Sequence, residues 1–263
     1  MSGKIRIGTS GWSFQDWKGP FYPAEIEKGE MLPYYAQHFT CSEINSTYYN
    51  IPHFKVFEHL VNKTPENFEF TVKLNKGTTH DDGNPMQAVS DLDENIQPLK
   101  AAGKFSGYLA QFPYSFKNTG KNRGLLHQIR ESLPDDEIFV EFRHSSWLRT
   151  PVYQFLEKNN LSYVCVDEPR LDGLLPPQSV TTSQTGYIRL HGRNSETWWH
   201  PEKGDRYDYL YSNEELDEWI ERIDQMQNRV SKLYIFFNNC HHGQAPMNAK
   251  KMLSLFGDES ESQ

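Results

Sequence analysis

Ile138-Phe-Val-Glu-Phe-Arg-His-Ser-Ser-Trp147 opens as a strand and closes as a loop crowded with reactive side chains. Ile138, Val140 and Phe142 share one parity; Phe139, Glu141 and Arg143 share the other. Successive strand residues point to opposite faces. One face here is wholly apolar, and the other turns charged towards the C-terminal end. The same signature recurs along the chain. Phe68–Leu74 sets four apolar residues against Glu69, Thr71 and Lys73. Lys4–Gly8, Ser42–Asn45, Phe105–Phe112, Ser162–Asp167, Tyr187–His191 and Leu233–Asn238 read as the remaining strands.

Helical spacing falls between them: Glu30–Phe39, His53–Lys63, Met86–Ala102, Leu125–Leu133, Pro151–Asn159, a helix capped by Asn213, and Gly243–Phe256. Only Glu168–Gly186 lacks a helical period, so the sixth unit is expected to be irregular. Alternating β and α elements imply a parallel sheet. Eight units in 263 residues imply a single-domain (β/α)8 TIM barrel, a fold of about 250 residues. Residues 1–256 are expected to form it, with 257–263 a frayed acidic tail. A doubly wound open sheet is the alternative, but Gly8-Thr-Ser-Gly11 lacks the GxGxxG spacing of its first turn.

A net charge of −8 argues against a general nucleic-acid binder, whose footprint is basic. Cys41, Cys165 and Cys240 are far apart and form no CxxC pair, so they read as buried hydrophobes. Cys240 is a weak nucleophile candidate. The N-terminus shows no apolar signal core, and no apolar run reaches the roughly 18 residues of a membrane span. A cytoplasmic protein without membrane attachment is expected.

In a barrel, the strand face against the helices must be apolar. The other face fills the interior, and its upper end meets the active-site mouth. Near the C-terminal ends of the strands this assigns an inward set of Glu43, Asn45, Lys73, Gln111, Glu141, Arg143, Asp167, Arg189, His191 and Asn238. Buried charges cost several kcal/mol each unless paired. Three cations against three carboxylates could satisfy one another as a purely structural network, or they could line a ligand pocket. Lys73 is read first as salt-bridged to Glu141 or Glu43. With a depressed pKa it would suit Schiff-base or proton-transfer chemistry. Glu141 and Asp167 end adjacent strands and could form an acid/base pair. His191 with the carboxylates could hold a metal, but no HExxH-type spacing supports it, and no metal is assigned. Adjacent His241 and His242 are expected to point apart. Arg143, Arg189 and Arg193 suggest an anionic group. Trp12, Trp17, Tyr48, Trp147, Trp198 and Trp199 fall in loops after strands. They would stack on a sugar or a base, or plug the loops down.

Taken together, Gly8-Thr-Ser-Gly-Trp12, Pro33-Tyr-Tyr with Phe39, Glu43-Ile-Asn45 with Thr47-Tyr-Tyr, Phe70-Thr-Val-Lys73, Gln111-Phe-Pro113, Val140 through Trp147, Arg189-Leu-His-Gly192, Tyr207-Asp-Tyr-Leu-Tyr211 and Phe237-Asn-Asn239 resemble the YecE-like family, domain of unknown function seventy-two. The resemblance spans nearly the whole chain. It implies a TIM barrel and a cytoplasmic setting, and no established reaction. Its motifs coincide with the inward set except at Asp167, which rests on parity alone, and Asn239, which takes the outward parity.

These readings converge on an enzyme acting on a small polar or anionic, sugar- or nucleotide-like substrate by hydrolase, lyase or isomerase chemistry. Glu141, His191, Lys73 and Asp167 are the expected catalytic groups. Arg143, Arg189, Glu43, Asn45, Gln111, Asn238 and Trp147 are the expected substrate-binding groups, and no cofactor is specified. The alternative is a non-catalytic module for a metabolite or single-stranded nucleic acid.

Overall fold

The computed structural model describes residues 4–81, 83–200, 202 and 205–260. Eight parallel strands close into a barrel in sequence order. They are β1 (Lys4–Thr9), β2 (Cys41–Ile44), β3 (Glu69–Lys73), β4 (Phe105–Gln111), β5 (Ile138–Glu141), β6 (Ser162–Asp167), β7 (Thr185–Leu190) and β8 (Lys232–Phe237). Helices follow the strands on the outside, except after β6, where residues 168–184 form no helix, as their composition predicts. The tail expected to fray falls on the end of the last helix, Gln244–Ser260, and on residues outside those described.

The helix boundaries differ from sequence expectation where local chemistry overrides period. The single helix expected over Met86–Ala102 is two, Pro85–Asn95 and Gln97–Ala101. Pro98 is the reason: it lacks an N–H and suits only a first helical turn. The helix Asn213–Gln227 is capped by Ser212 rather than Asn213. Ser212 forms a capping box with Glu215.

Register assigns the two faces of the barrel wall. Partners in a parallel ladder point the same way, so the pairs Lys73↔Leu109, Leu109↔Phe139, Gln111↔Glu141, Val166↔Arg189 and Tyr187↔Tyr234 trace the inward rows. The β3–β4 pairing shifts between Phe70 and Val72. Nearby Gly107 adopts φ +131°, and a Cβ there would lie 2.7 Å from the Phe139 ring. Only glycine lets β4 pass at that point.

The interior is stacked in three levels. At the N-terminal end, Glu69 accepts from Arg6 (3.3 Å) and Lys232 (3.0 Å) through Oε1 and from the Tyr234 hydroxyl through Oε2. The middle level is largely apolar: Leu109, Phe139, Tyr187 and Phe236, with the Phe139 and Tyr187 rings 4.4 Å apart. The third level, at the C-terminal mouth, is charged. Outside the wall, Trp147 lies fully buried against Phe142 (centroids 4.0 Å) and Phe116 (5.5 Å). Its indole N–H donates to the Phe116 carbonyl at 2.6 Å. Trp147 was expected to bind substrate; the structure corrects this and makes it a wedge between β5 and its neighbouring loops.

Candidate functional site

Seven of the expected inward residues meet at the mouth in one network. Glu141, at the end of β5, sits between two guanidinium groups. Its Oε1 accepts from Arg143 Nε (2.7 Å) and its Oε2 from Arg189 Nη1 (2.7 Å). Arg189 Nη2 also donates to Glu43 Oε1 at 2.6 Å, which Asn45 reaches through Nδ2 at 2.8 Å. The Tyr187 hydroxyl caps the other Glu43 oxygen at 2.7 Å. His191 Nε2 lies 3.2 Å from Glu141 Oε1 and 3.1 Å from Arg143 Nη2, while Asn238 Nδ2 lies 3.0 Å from its Nδ1. Every one of these carboxylates is fully buried.

That geometry reassigns the roles expected of Glu141 and His191. Burial alone would raise the Glu141 pKa, but Arg189, Arg143 and His191 outweigh it and hold the carboxyl well below its usual range. Glu141 is a permanently ionised clamp. His191 is pushed down to about 3, first by burial and then by Arg143. A neutral ring offers one acceptor and one donor: Nδ1 can accept from Asn238 while an Nε2–H donates to Glu141. At neutral pH it is a neutral spacer.

Asp167 was expected inward and is not. It pairs with Leu190, while Val166 pairs with Arg189, so Asp167 faces the helix layer. There it accepts from Arg193 Nε at 2.8 Å, and Arg193 continues to Glu215 (3.3 Å) and Glu218 (2.9 Å) on the outer helix. The acid/base pair with Glu141 is therefore not formed. Tyr163 and Cys165 are as apolar as Val164 and Val166, so parity on β6 carried no signal. The inward carboxylate is the next residue, Glu168. It accepts from Arg143 Nη1 (3.1 Å) and from the Leu175 N–H (3.0 Å). Burial raises it to about 7 despite Arg143. Extending the Val164–Val166 row by one step would have found it.

Lys73, at the end of β3, is the exception in this set. The salt bridge to Glu141 or Glu43 does not form. Its amine makes no hydrogen bond or ion pair with a described residue and lies 4.4 Å from the Tyr48 ring centroid. Its pKa falls to about 7, chiefly through burial and then through Arg189, against the raising effect of Glu141 and Glu43. The same amine, after burial, helps lower His80 to about 4.

Two lobes of a cavity meet at Lys73. Both share Tyr48, Tyr49, Gln111 and Tyr207 with it. One lobe, about 340 Å³, adds Arg143, Arg206, Trp198 and Trp199 and has no carboxylate among the described residues of its lining. The other, about 300 Å³, adds Ser10, Asp16, Asn45, Arg189, Asn238 and His241. In it, Asn45 Oδ1 is buried without a hydrogen-bond partner among the described residues, an acceptor left for a ligand hydroxyl or amine. Gln111 spends its Nε2 on the Phe112 carbonyl at 2.8 Å, which turns its side chain along the wall. Sequence reasoning did not single out Arg206 for the site; it lies 5.8 Å from the Trp198 ring. Outward Asn239 donates to the Tyr209 carbonyl (2.8 Å) and to Asn248 (2.9 Å), tying the mouth loops to the last helix.

Comparison with known proteins bears on the frame of this site and not on its chemistry. Residues 6–263 match the family model described as protein of unknown function DUF72. The UPF0759 protein YunF of Bacillus subtilis is 29% identical over 97% of this chain and 95% of its own length. A solved structure of a DUF72 family protein from Thermotoga maritima is 41% identical, covers 97% of this chain and 99% of its own, and superposes with a TM-score of 0.90. One from Enterococcus faecalis is 28% identical, covers 96% and 95%, and superposes at 0.85. None of these names states an activity. No helix among the described residues is long and apolar enough to cross a membrane.

Proposed function

This chain belongs to the DUF72 family, and we propose that it is an enzyme in which Lys73 attacks the carbonyl of a small anionic substrate. The reading is a lyase or isomerase working through an iminium. The observation that carries it is the isolated Lys73 amine, half-buried at the junction of two lobes and surrounded by charged groups already committed to one another.

Chemistry follows from the environment. A neutral amine is the nucleophile that iminium formation needs, and desolvation beside another cation is what supplies it near neutral pH. The amine adds to the carbonyl carbon, the resulting carbinolamine takes up a proton from solvent on its oxygen and loses water, and an iminium forms. The positive charge this creates falls near Glu43 and Glu141, which favour it. Arg143 and Arg206 favour a negative group in the wider lobe. Trp198 and Trp199 give that lobe an apolar, aromatic wall. In the second lobe, Asn45, Asn238 and Ser10 can meet substrate hydroxyls. Glu168, poised near neutrality behind Arg143, can take up the charge change when that guanidinium shifts.

The test is reductive trapping. The protein is incubated with small 2-oxo acids and phosphorylated aldoses and ketoses, then treated with borohydride. The expected result is a mass increase of one substrate, mapped to the peptide carrying Lys73. No adduct across the panel, or adducts scattered over other lysines, would sink the reading.

A further inference from the structure

Asp16, His241 and His242 stand apart from the network around Glu141. Asp16 lies on the turn Gln15–Trp17 after β1, and both histidines lie on the turn His241–Gly243 after β8. The two turns are locked together. The Trp17 indole N–H donates to the Cys240 carbonyl at 2.6 Å, and the His242 N–H donates to Asp16 Oδ2 at 2.6 Å. A Cβ on Gly243 would fall 2.9 Å from Pro20.

Neighbouring side chains on regular backbone diverge, which is why the sequence predicts that the two imidazoles point apart. The structure departs from that expectation at a single residue. His242 takes φ 49° and ψ 30°, a left-handed conformation that a residue other than glycine seldom adopts. This folds its ring back onto His241, with centroids 4.0 Å apart. As a result, one donor atom each from Asp16, His241 and His242 lies within 4.8 Å of the others. Behind them, His241 Nδ1 lies 3.2 Å from Asp208 Oδ2, and Gln244 Nε2 holds Asp208 through Oδ1 at 2.8 Å.

We propose that Asp16, His241 and His242 bind one divalent transition-metal ion of the zinc type at the rim of the cavity, with Asp208 orienting His241. Two imidazoles and a carboxylate are a donor set that zinc accepts, and three protein ligands leave a position open. A carboxylate behind a ligating imidazole fixes its ring and raises its basicity; Asp208, 3.2 Å from His241 Nδ1 and not yet hydrogen-bonded to it, is placed to do so. Asp16 and His241 line the same lobe as Asn45 and Lys73, so the open position belongs to the cavity. A substrate oxygen could fill it. The proposal does not depend on Lys73 being the nucleophile.

Zn²⁺ titration of the chelator-treated full chain, without an affinity tag, tests this, with Co²⁺ absorption as a second readout. One tight equivalent per chain is expected, with Co²⁺ d–d bands of a four-coordinate nitrogen and oxygen site. His242→Gly should keep the turn, since glycine accepts the left-handed backbone, yet lose at least tenfold in affinity together with those bands. Asp16→Asn should do the same. Asp208→Asn should weaken binding about 10–100-fold. Lys73→Met should bind as the wild type does. Weak multi-site binding in the wild type would overturn the proposal. So would His242→Gly binding with unchanged affinity.

Discussion

The barrel holds charge at both ends of its interior, and the two ends are built differently. At the N-terminal end, Glu69 is closed in by Arg6, Lys232 and Tyr234, and none of the four lines either lobe of the cavity described above. At the mouth, two guanidinium groups are shared among three carboxylates, and a third cation, Lys73, stands over an aromatic ring facing open space. Glu69 and Lys73 bound the same strand, on the same face. Folding needs only charges that satisfy one another, and the lower level meets that requirement. An amine that meets an aromatic ring but no hydrogen-bond or ion-pair partner among the described residues needs another reason to be there.

The sharpest way to break this contrast is Lys73→Met. The proposed chemistry should fall by about 10²–10⁴-fold, the scale on which a positioned reacting group acts. Reductive trapping should vanish, while denaturant unfolding at neutral pH shows no loss of stability, because a buried amine with a depressed pKa costs the fold free energy that Met does not. A large loss of stability would instead make Lys73 a structural residue like Glu69.

Arg189→Met should have the largest effect on folding. It leaves Glu43 and Glu141 facing each other in a dry site, at a cost of about 3–5 kcal/mol in urea unfolding. A near-neutral result would mean that water enters the mouth freely enough to replace the guanidinium.

Glu69→Gln should cost about 1.5–3 kcal/mol, the scale of hydrogen bonds to a charged group, and leave trapping at Lys73 untouched. Loss of trapping in this variant would show that the two levels are coupled through the apolar layer between them.

The last effect is in pH. The folded-state pKa of Lys73, about 7, lies below its unfolded value of about 10.4, so the unfolded chain binds more protons between those limits. The contribution of Lys73 to stability therefore rises with pH across about 7 to 10.4 and is flat below. Lys73→Met should lack that slope, so the difference between the wild-type and variant stability curves should carry it. Parallel curves would place the amine in water.

Most of the barrel was legible because an antagonism between faces is written into each strand. Where β3, β5 and β7 oppose apolar to charged parity, the inward residues could be named in advance. On β6 the antagonism is absent, and Asp167 was turned the wrong way while Glu168 went unnoticed. Trp147 misled for a related reason: a tryptophan after a strand binds ligand or fills a wedge, and only packing decides. The mouth network is a property of distance across the barrel, as with Arg143 and Glu168 (3.1 Å), which no spacing along the chain encodes. The pairing of His241 with His242 depends on one backbone angle, beyond the reach of pattern.

The clasp that Arg193 makes between Asp167 and the outer helix also fixes where the long loop after β7 leaves the barrel. The loop returns beside its own start, since the Gly192 N–H donates to the Tyr211 hydroxyl at 2.8 Å. Trp198, Arg206 and Tyr207 all lie between these two pinned points. Lengthening such a loop costs little, about 0.6 kcal/mol for each doubling. Related chains could thus exchange this whole segment, and with it the ligand they accept, giving up the ring contacts of Trp198 with Arg143 and of Trp198 and Tyr207 with His191 while keeping the ion pairs beneath them.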